Sequence, residues 1–164
     1  MRVAAQIEIA ATPALVWEQV SDPGRYLHFM SGITRWEVVG SRRSGLGARY
    51  RMLLRVRSAE IGGLIEVVEY VRCRELAWNS VTGVDQRGRW RLRERQGGAR
   101  TAVELRLQYG VAGSGLLGWV AEHVAAPTVT GHLRRSLLQL KRQVEHEQLR
   151  SAAAERRRAR MGAA

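Results

Sequence analysis

The sequence predicts an α+β fold, a curved antiparallel sheet wrapped around a long C-terminal helix. Segments whose apolar residues recur at every second position predict the strands, and the turns between them are too short for helical crossovers. After Gly113-Ser114-Gly115 the apolar spacing changes to three and four residues and holds to Val144, which predicts one long helix. A sheet with one apolar face and a helix with one apolar stripe each need a cover, and laying the helix across the sheet buries both.

Near the start, Val3, Ala5, Ile7 and Ile9 alternate with Ala4, Gln6 and Glu8, the period of a half-buried strand. Thr12 can cap a helix, and Pro13 suits its first position, where no amide donor is needed. That helix runs from Pro13 to Val20 with Val16, Trp17 and Val20 on one side, and Ser21-Asp22-Pro23-Gly24 ends it. A short helix or turn follows over Arg25–Met30, then a strand over Ile33–Val39 and a turn over Gly40–Gly47. In the next strand Tyr50, Met52, Leu54 and Val56 face one way while Arg49, Arg51 and Arg55 face the other.

Leu64–Val71 and Glu75–Thr82 are further strands, joined by the polar turn Arg72–Arg74. From Arg87 to Arg95 the alternation is strict: Gly88, Trp90, Leu92 and Glu94 take one face, and Arg87, Arg89, Arg91, Arg93 and Arg95 the other. Gly97-Gly98 turns the chain into Thr101–Val111, where Val103, Leu105, Leu107 and Tyr109 share the inward face. The long helix presents Trp119, His123, Ala126, Val129, Leu133, Leu137, Leu140 and Val144, with Pro127 expected to bend or interrupt its early part. These elements make one domain over residues 1–148, and the alanine-rich, basic residues 149–164 read as a disordered tail.

Composition narrows the setting. Cys73 is the only cysteine, so neither an internal disulfide nor a multi-cysteine metal cage can form, and a reducing compartment is expected. Gln6 and Glu8 interrupt what a signal peptide would need as an apolar core. The longest apolar stretch, Leu116–Val129, contains Glu122 and His123 and falls short of the roughly 20 residues of a membrane span. A cytoplasmic protein is the expectation. A net charge of +12 favours anionic partners.

Three stretches carry a family resemblance: IEIAATPALVWEQVSDPGRYLHF, VVEYVRCRELAW and GRWRLRERQGGARTAVELRLQY. In order and spacing they resemble the helix-grip fold of the START-like superfamily (SRPBCC), which includes pollen-allergen proteins, lipid-transfer domains and bacterial polyketide cyclase/dehydrase-like proteins. The resemblance spans residues 3–148 and contains no short catalytic motif. It implies a cavity between sheet and helix that takes lipids, polyketides, sterols or other apolar molecules.

The inward strand positions supply its expected lining: Tyr50, Met52, Leu54, Trp78, Trp90, Leu92, Leu105, Leu107 and Tyr109. Glu66 and Glu69 fall on opposite faces of one strand, so one of them is expected to point inward, with Tyr70 on the face of Glu66. Glu94 shares the face of Trp90, and His123 shares a helix face with Trp119. A carboxyl or imidazole in an apolar cavity could move a proton, which makes Glu66, Glu94 and His123 the candidate catalytic groups.

Other chemistries lack their patterns. His28, His132 and His146 have no metal-ligand spacing, and neither Ser114 nor Cys73 has a nucleophile's context. The glycines form no phosphate-cradling loop, so no metal and no cofactor is expected. The leading function is therefore binding or transport of an apolar small molecule in an internal cavity. The alternatives are a polyketide cyclase/aromatase-like enzyme and an interaction module. The latter would use the basic outer arginines, with Arg134, Arg135 and Arg156–Arg158, to dock anionic membrane or acidic protein, each basic residue being worth about 1 kcal/mol near anionic lipid. Nucleic acid ranks last as a partner, because neither a recognition helix nor a stacking platform accompanies the charge.

Overall fold

In the computed structural model, residues 1–110 and 115–162 are described, with side chains for residues 1–110 and 126–161. The first strand, β1 (Arg2–Ile9), leads to α1 (Pro13–Val20), a 3-10 turn (Pro23–Arg25) and α2 (Tyr26–Phe29). Six more strands follow: β2 (Ile33–Val39), β3 (Arg49–Val56), β4 (Ala59–Val71), β5 (Glu75–Gly83), β6 (Asp85–Arg95) and β7 (Arg100–Gly110). The chain closes with α3 (Gly115–Gly162). The strands form one sheet in the order β1-β7-β6-β5-β4-β3-β2, and every neighbouring pair is antiparallel.

Local chemistry sets the first turns as expected. Leu15 N donates to Thr12 Oγ1 at 3.4 Å, capping α1 over Pro13, and Gly24 N donates to Asp22 Oδ1 at 2.9 Å, capping the next turn. Val16, Trp17 and Val20 of α1 are buried, as are Val129, Leu133, Leu137, Leu140 and Val144 of α3. Both helices pack on the inward face of the sheet, against Ile9, Ile65, Val67, Trp90, Val103 and Leu105.

Polar bonds fix α3 along the β1 edge. Lys141 Nζ donates to the Glu8 carbonyl at 2.8 Å, and Glu145 accepts from Ala10 N at 2.8 Å. Glu147 accepts from the buried Gln19 Nε2 at 2.7 Å. The helix continues through Pro127, where the sequence suggested a bend or interruption, and the segment expected as a disordered tail from residue 149 is helical to Gly162 with its arginines exposed.

The largest departure from simple alternation lies in β4. Its pairing with β5 shifts register between Leu64 and Ile65 and again between Val67 and Glu69. The first shift leaves the extra residue, Val81, in β5, and the second leaves Val68 extra in β4, so the faces of β4 invert only beyond Val68. Ile65 and Val67 point inward, and after the second shift Tyr70 does too, meeting Trp17 edge-on at 5.1 Å between ring centres. Glu66 and Glu69 consequently share the outer face, where they pair with Arg49 at 2.6 Å and Arg89 at 2.8 Å. The expectation that one glutamate turns inward is thus corrected by a bulge that period-two counting cannot see.

Candidate functional site

The inward face of the sheet, α2 and α3 enclose a space built from aromatic rings. Tyr26 of α2 stacks on Trp36 of β2 at 4.4 Å, and Trp36 stacks on Tyr50 of β3 at 5.0 Å. Tyr26 is also a hydrogen-bond hub: its hydroxyl accepts from Trp90 Nε1 at 3.1 Å and donates to the Val20 carbonyl at 2.7 Å. Complete burial drives its phenol far above the ordinary value, and burial pushes Tyr50 up to about 12, with Tyr70 adding to the shift. Both phenols therefore stay protonated at neutral pH and act as donors.

Three small chambers run along this face and share walls. The one nearest α1 and the one beneath α3 have Tyr26, Trp36 and Trp78 in common. The chamber beneath α3 and the one toward Val129 have Met52, Leu54, Gln86 and Leu107 in common. Room for a water-sized sphere comes to about 40 Å³ beneath α3, 20 Å³ toward Val129 and 10 Å³ near α1. The walls are almost wholly apolar, but the indole N–H groups of Trp36 and Trp78 are buried without a partner among the described residues. The chamber-lining Gln86 is buried as well, its amide meeting Met52 Sδ at 3.4 Å.

A polar cluster stands where the α2–β2 turn meets α3. His132 Nε2 lies 3.0 Å from the Arg55 carbonyl, an acceptor only, so this nitrogen carries the proton and Nδ1 accepts. Ser31 Oγ lies 3.2 Å and Arg135 Nη2 3.1 Å from Nδ1, and Arg135 Nε donates to Ser31 Oγ at 3.2 Å. The buried Ser136 hydroxyl accepts from Ser31 N and donates to the His132 carbonyl, both at 2.8 Å. The imidazole presses on Gly32, where φ is +83° and a Cβ would come within 2.5 Å of the ring, so only glycine lets turn and helix meet this closely.

Burial, and then the Arg135 charge, hold His132 below the ordinary histidine value of 6.5, although its bond to the Arg55 carbonyl opposes them. The unfolded chain takes up this proton near pH 6.5, whereas the folded chain resists it until lower pH, so between those points the unfolded state binds more protons. The stability concerned is complete above pH 6.5 and is lost as pH falls through the folded value. Urea midpoints measured from pH 7.5 down to 5 should decline in the wild type and decline less steeply in His132→Gln. Equal slopes would remove His132 as the cause.

The sequence-predicted residues separate into groups. Tyr50, Met52, Leu54, Trp78, Leu105, Leu107 and Tyr109 line the chambers, whereas Trp90 and Leu92 are buried beside α1 and α2 and line none of the three. Tyr70 packs against Trp17, outside the chamber walls. Glu66 is on the outer face, and Glu94 is exposed where β6 ends. The shared face expected for Glu94 and Trp90 puts no carboxyl inside, because the strand has by then run past its cover. The side chains of Trp119 and His123 lie outside the described residues.

Sequence reasoning missed Tyr26, Trp36, Gln86 and the Ser31–His132–Ser136 cluster. A signal for the cluster existed: His132 and Ser136 flank Leu133 and Leu137 on the apolar side of α3, and polar residues there need partners.

The outer face is largely self-neutralised. Arg49, Arg51, Arg55, Arg89 and Arg91 pair with Glu66, Glu37, Glu60, Glu69 and Glu75. Arg87, Arg93 and Arg95 have no carboxylate partner among the described residues. An open depression of about 630 Å³ on this face is walled by Arg2, Arg87, Arg89, Arg91 and Arg106. No helix among the described residues is long and apolar enough to cross a membrane.

A curved antiparallel sheet closed over a long helix, with apolar chambers between them, defines the helix-grip class of START-like proteins. The chain belongs to the polyketide cyclase/dehydrase and lipid transport family, whose family model matches residues 1–145. Among solved structures it is similar to TTHA0849 from Thermus thermophilus, with 20% identity over 88% of this chain and 97% of that one and a TM-score of 0.74. It is also similar to the Zhui aromatase/cyclase from Streptomyces sp. R1128, with 20% identity, coverage of 93% and 95%, and a TM-score of 0.67. A START superfamily protein from Mycobacterium smegmatis aligns at 17% identity, with coverage of 88% and 97% and a TM-score of 0.65. No curated protein matches the chain in sequence.

Proposed function

We propose that the protein binds an apolar small molecule between the inward sheet face and α3, and carries it without transforming it. The observation that bears most weight is the run of wall-sharing apolar chambers, lined by Tyr26, Trp36, Met52, Leu54, Trp78 and Leu107. No Asp or Glu is among their described lining residues, and Glu66 and Glu94 lie outside, which favours carriage over acid–base turnover. Ligand pockets commonly hold roughly 300–1,000 Å³, so a guest must widen these chambers. Met30 and Met52 are the adaptable wall residues for that movement, because an unbranched thioether changes rotamer at little cost. A polyketide cyclase/aromatase-like role is the second reading, its cyclase part supported by the family's description and its aromatase part by the likeness to the Zhui aromatase/cyclase. Peripheral attraction to anionic lipid or acidic protein through Arg87, Arg93 and Arg95 belongs to the carrier reading as a secondary contact.

Native mass spectrometry of gently purified protein, together with tryptophan emission during titration with dodecanoic acid and 2-naphthoic acid, tests the proposal. A retained apolar molecule or a saturable change in emission is expected, since Trp36 and Trp78 stand in the walls. A core silent to every ligand tried, with no retained mass, would sink it. Conversion of a poly-β-ketone to a ring product would move the assignment to the cyclase.

A further inference from the structure

Hydrogen-bond supply and demand do not balance at the Ser31–His132–Arg135 cluster. With Nε2–H committed to the Arg55 carbonyl, His132 offers one lone pair, at Nδ1, yet both the Ser31 hydroxyl and Arg135 Nη2 lie within reach of it, at 3.2 and 3.1 Å. One donor is surplus. Arg135 also makes no ion pair among the described residues, its hydrogen bonds going to Ser31 and His132. The guanidinium folds back along α3 over Gly131, where even a Cβ would meet Arg135 Nη1 only at contact distance, 3.4 Å.

Position gives this surplus its meaning. Ser31, His132 and Ser136 line the chamber beneath α3 together with Met30, Ile33 and Leu54, while Arg135 is exposed just outside. An unpaired cation and a spare hydroxyl donor therefore stand at the edge of an apolar space.

We infer that the ligand is an apolar carboxylic acid, its hydrocarbon or aromatic body in the chambers and its carboxylate on Arg135 and Ser31. This inference rests on the container reading and adds the head group to it. A carboxylate suits the place because it takes parallel bonds from a planar guanidinium, and a charge-assisted bond is roughly twice as strong as a neutral one. His132, neutral and donating away from the head group, keeps Arg135 and Ser31 oriented without competing for the anion.

The test compares each acid with its neutral ester: dodecanoic acid and methyl dodecanoate, 2-naphthoic acid and methyl 2-naphthoate. Binding is read by tryptophan emission and native mass spectrometry at pH 7.5, in the full chain and in Arg135→Gln. At least one acid should bind tenfold or more tighter than its ester, and Arg135→Gln should erase that preference while leaving ester affinity within about twofold. Because Arg135 is exposed, the variant should melt with the wild type. Equal binding of acid and ester, or a preference that survives Arg135→Gln, would overturn the head-group site and leave the container standing. Failure of all four probes to bind would remove the container, and this inference with it.

Discussion

Replacing Trp90 with alanine should lower unfolding stability by roughly 3–5 kcal/mol, the range for emptying a buried tryptophan site. For a domain of this size that corresponds to a fall in Tm of roughly 6–20 °C. Trp90 is completely buried and heads the fully buried side chains by volume. Its ring meets Phe29 edge-on at 6.2 Å, and its N–H donates to Tyr26, whose own hydroxyl reaches the Val20 carbonyl. The truncation therefore opens a cavity and strips one partner from a phenol that also stacks on Trp36, so the loss should spread into the chamber wall. Trp90→Phe separates the two effects. It retains most of the apolar volume, loses the N–H, and should cost about 1–3 kcal/mol. Urea unfolding followed by circular dichroism measures both. A loss below about 1.5 kcal/mol for alanine, or equal losses for the two variants, would contradict this account of the core.

How much could be read in advance depends on the range of the interaction. The strict alternation of Arg87–Arg95 places Trp90 inward and the arginines outward because a strand has no other way to arrange them. The apolar stripe from Val129 to Val144 likewise predicts the buried face of α3. Neither pattern says which cation meets which anion. Arg89 and Arg91 find Glu69 and Glu75 only because β4, β5 and β6 lie side by side, and the expected basic face becomes a mostly paired one.

The candidate site was the least legible part for the same reason. Ser31 and His132 are 101 positions apart, and Tyr26 and Trp90 are 64 apart, so no local spacing announces either pair. The faces of Glu66 and Tyr70 went astray through the single extra residue Val68 in β4, which depends on how β4 meets β5 rather than on the residues of β4 alone.

Glycine marks the place where that meeting is closest. Gly63 of β4 lies directly opposite Gly83 of β5, just before the first register shift, and Gly62 pairs with Leu53 of β3. A Cβ on Gly63 would fall 2.0 Å from the Thr82 carbonyl oxygen, and one on Gly62 would fall 2.1 Å from that of Met52. Both obstacles are backbone atoms of paired strands, so no rotamer change can relieve the clash. Gly83 adopts φ +89°, and Val84 N returns a hydrogen bond to the Gly62 carbonyl at 3.1 Å. The three glycines thus let β3, β4 and β5 draw together at a bend that side chains would prevent. Gly63→Ala should therefore destabilise the protein by at least about 3 kcal/mol, beyond ordinary overpacking, because the ladder itself must part. Gly97→Ala is the matching control: it lies at φ +61° with nothing near its Cβ, so it should cost only about 1–2 kcal/mol of backbone strain. Because Gly62 lines the chamber toward Val129, the part of Gly63→Ala that remains folded should also bind apolar probes more weakly than Gly97→Ala does. Chemical denaturation and probe titration on the two variants measure both consequences. Equal stability would mean that β4 and β5 can separate freely, and the bend would lose its role in shaping the chamber.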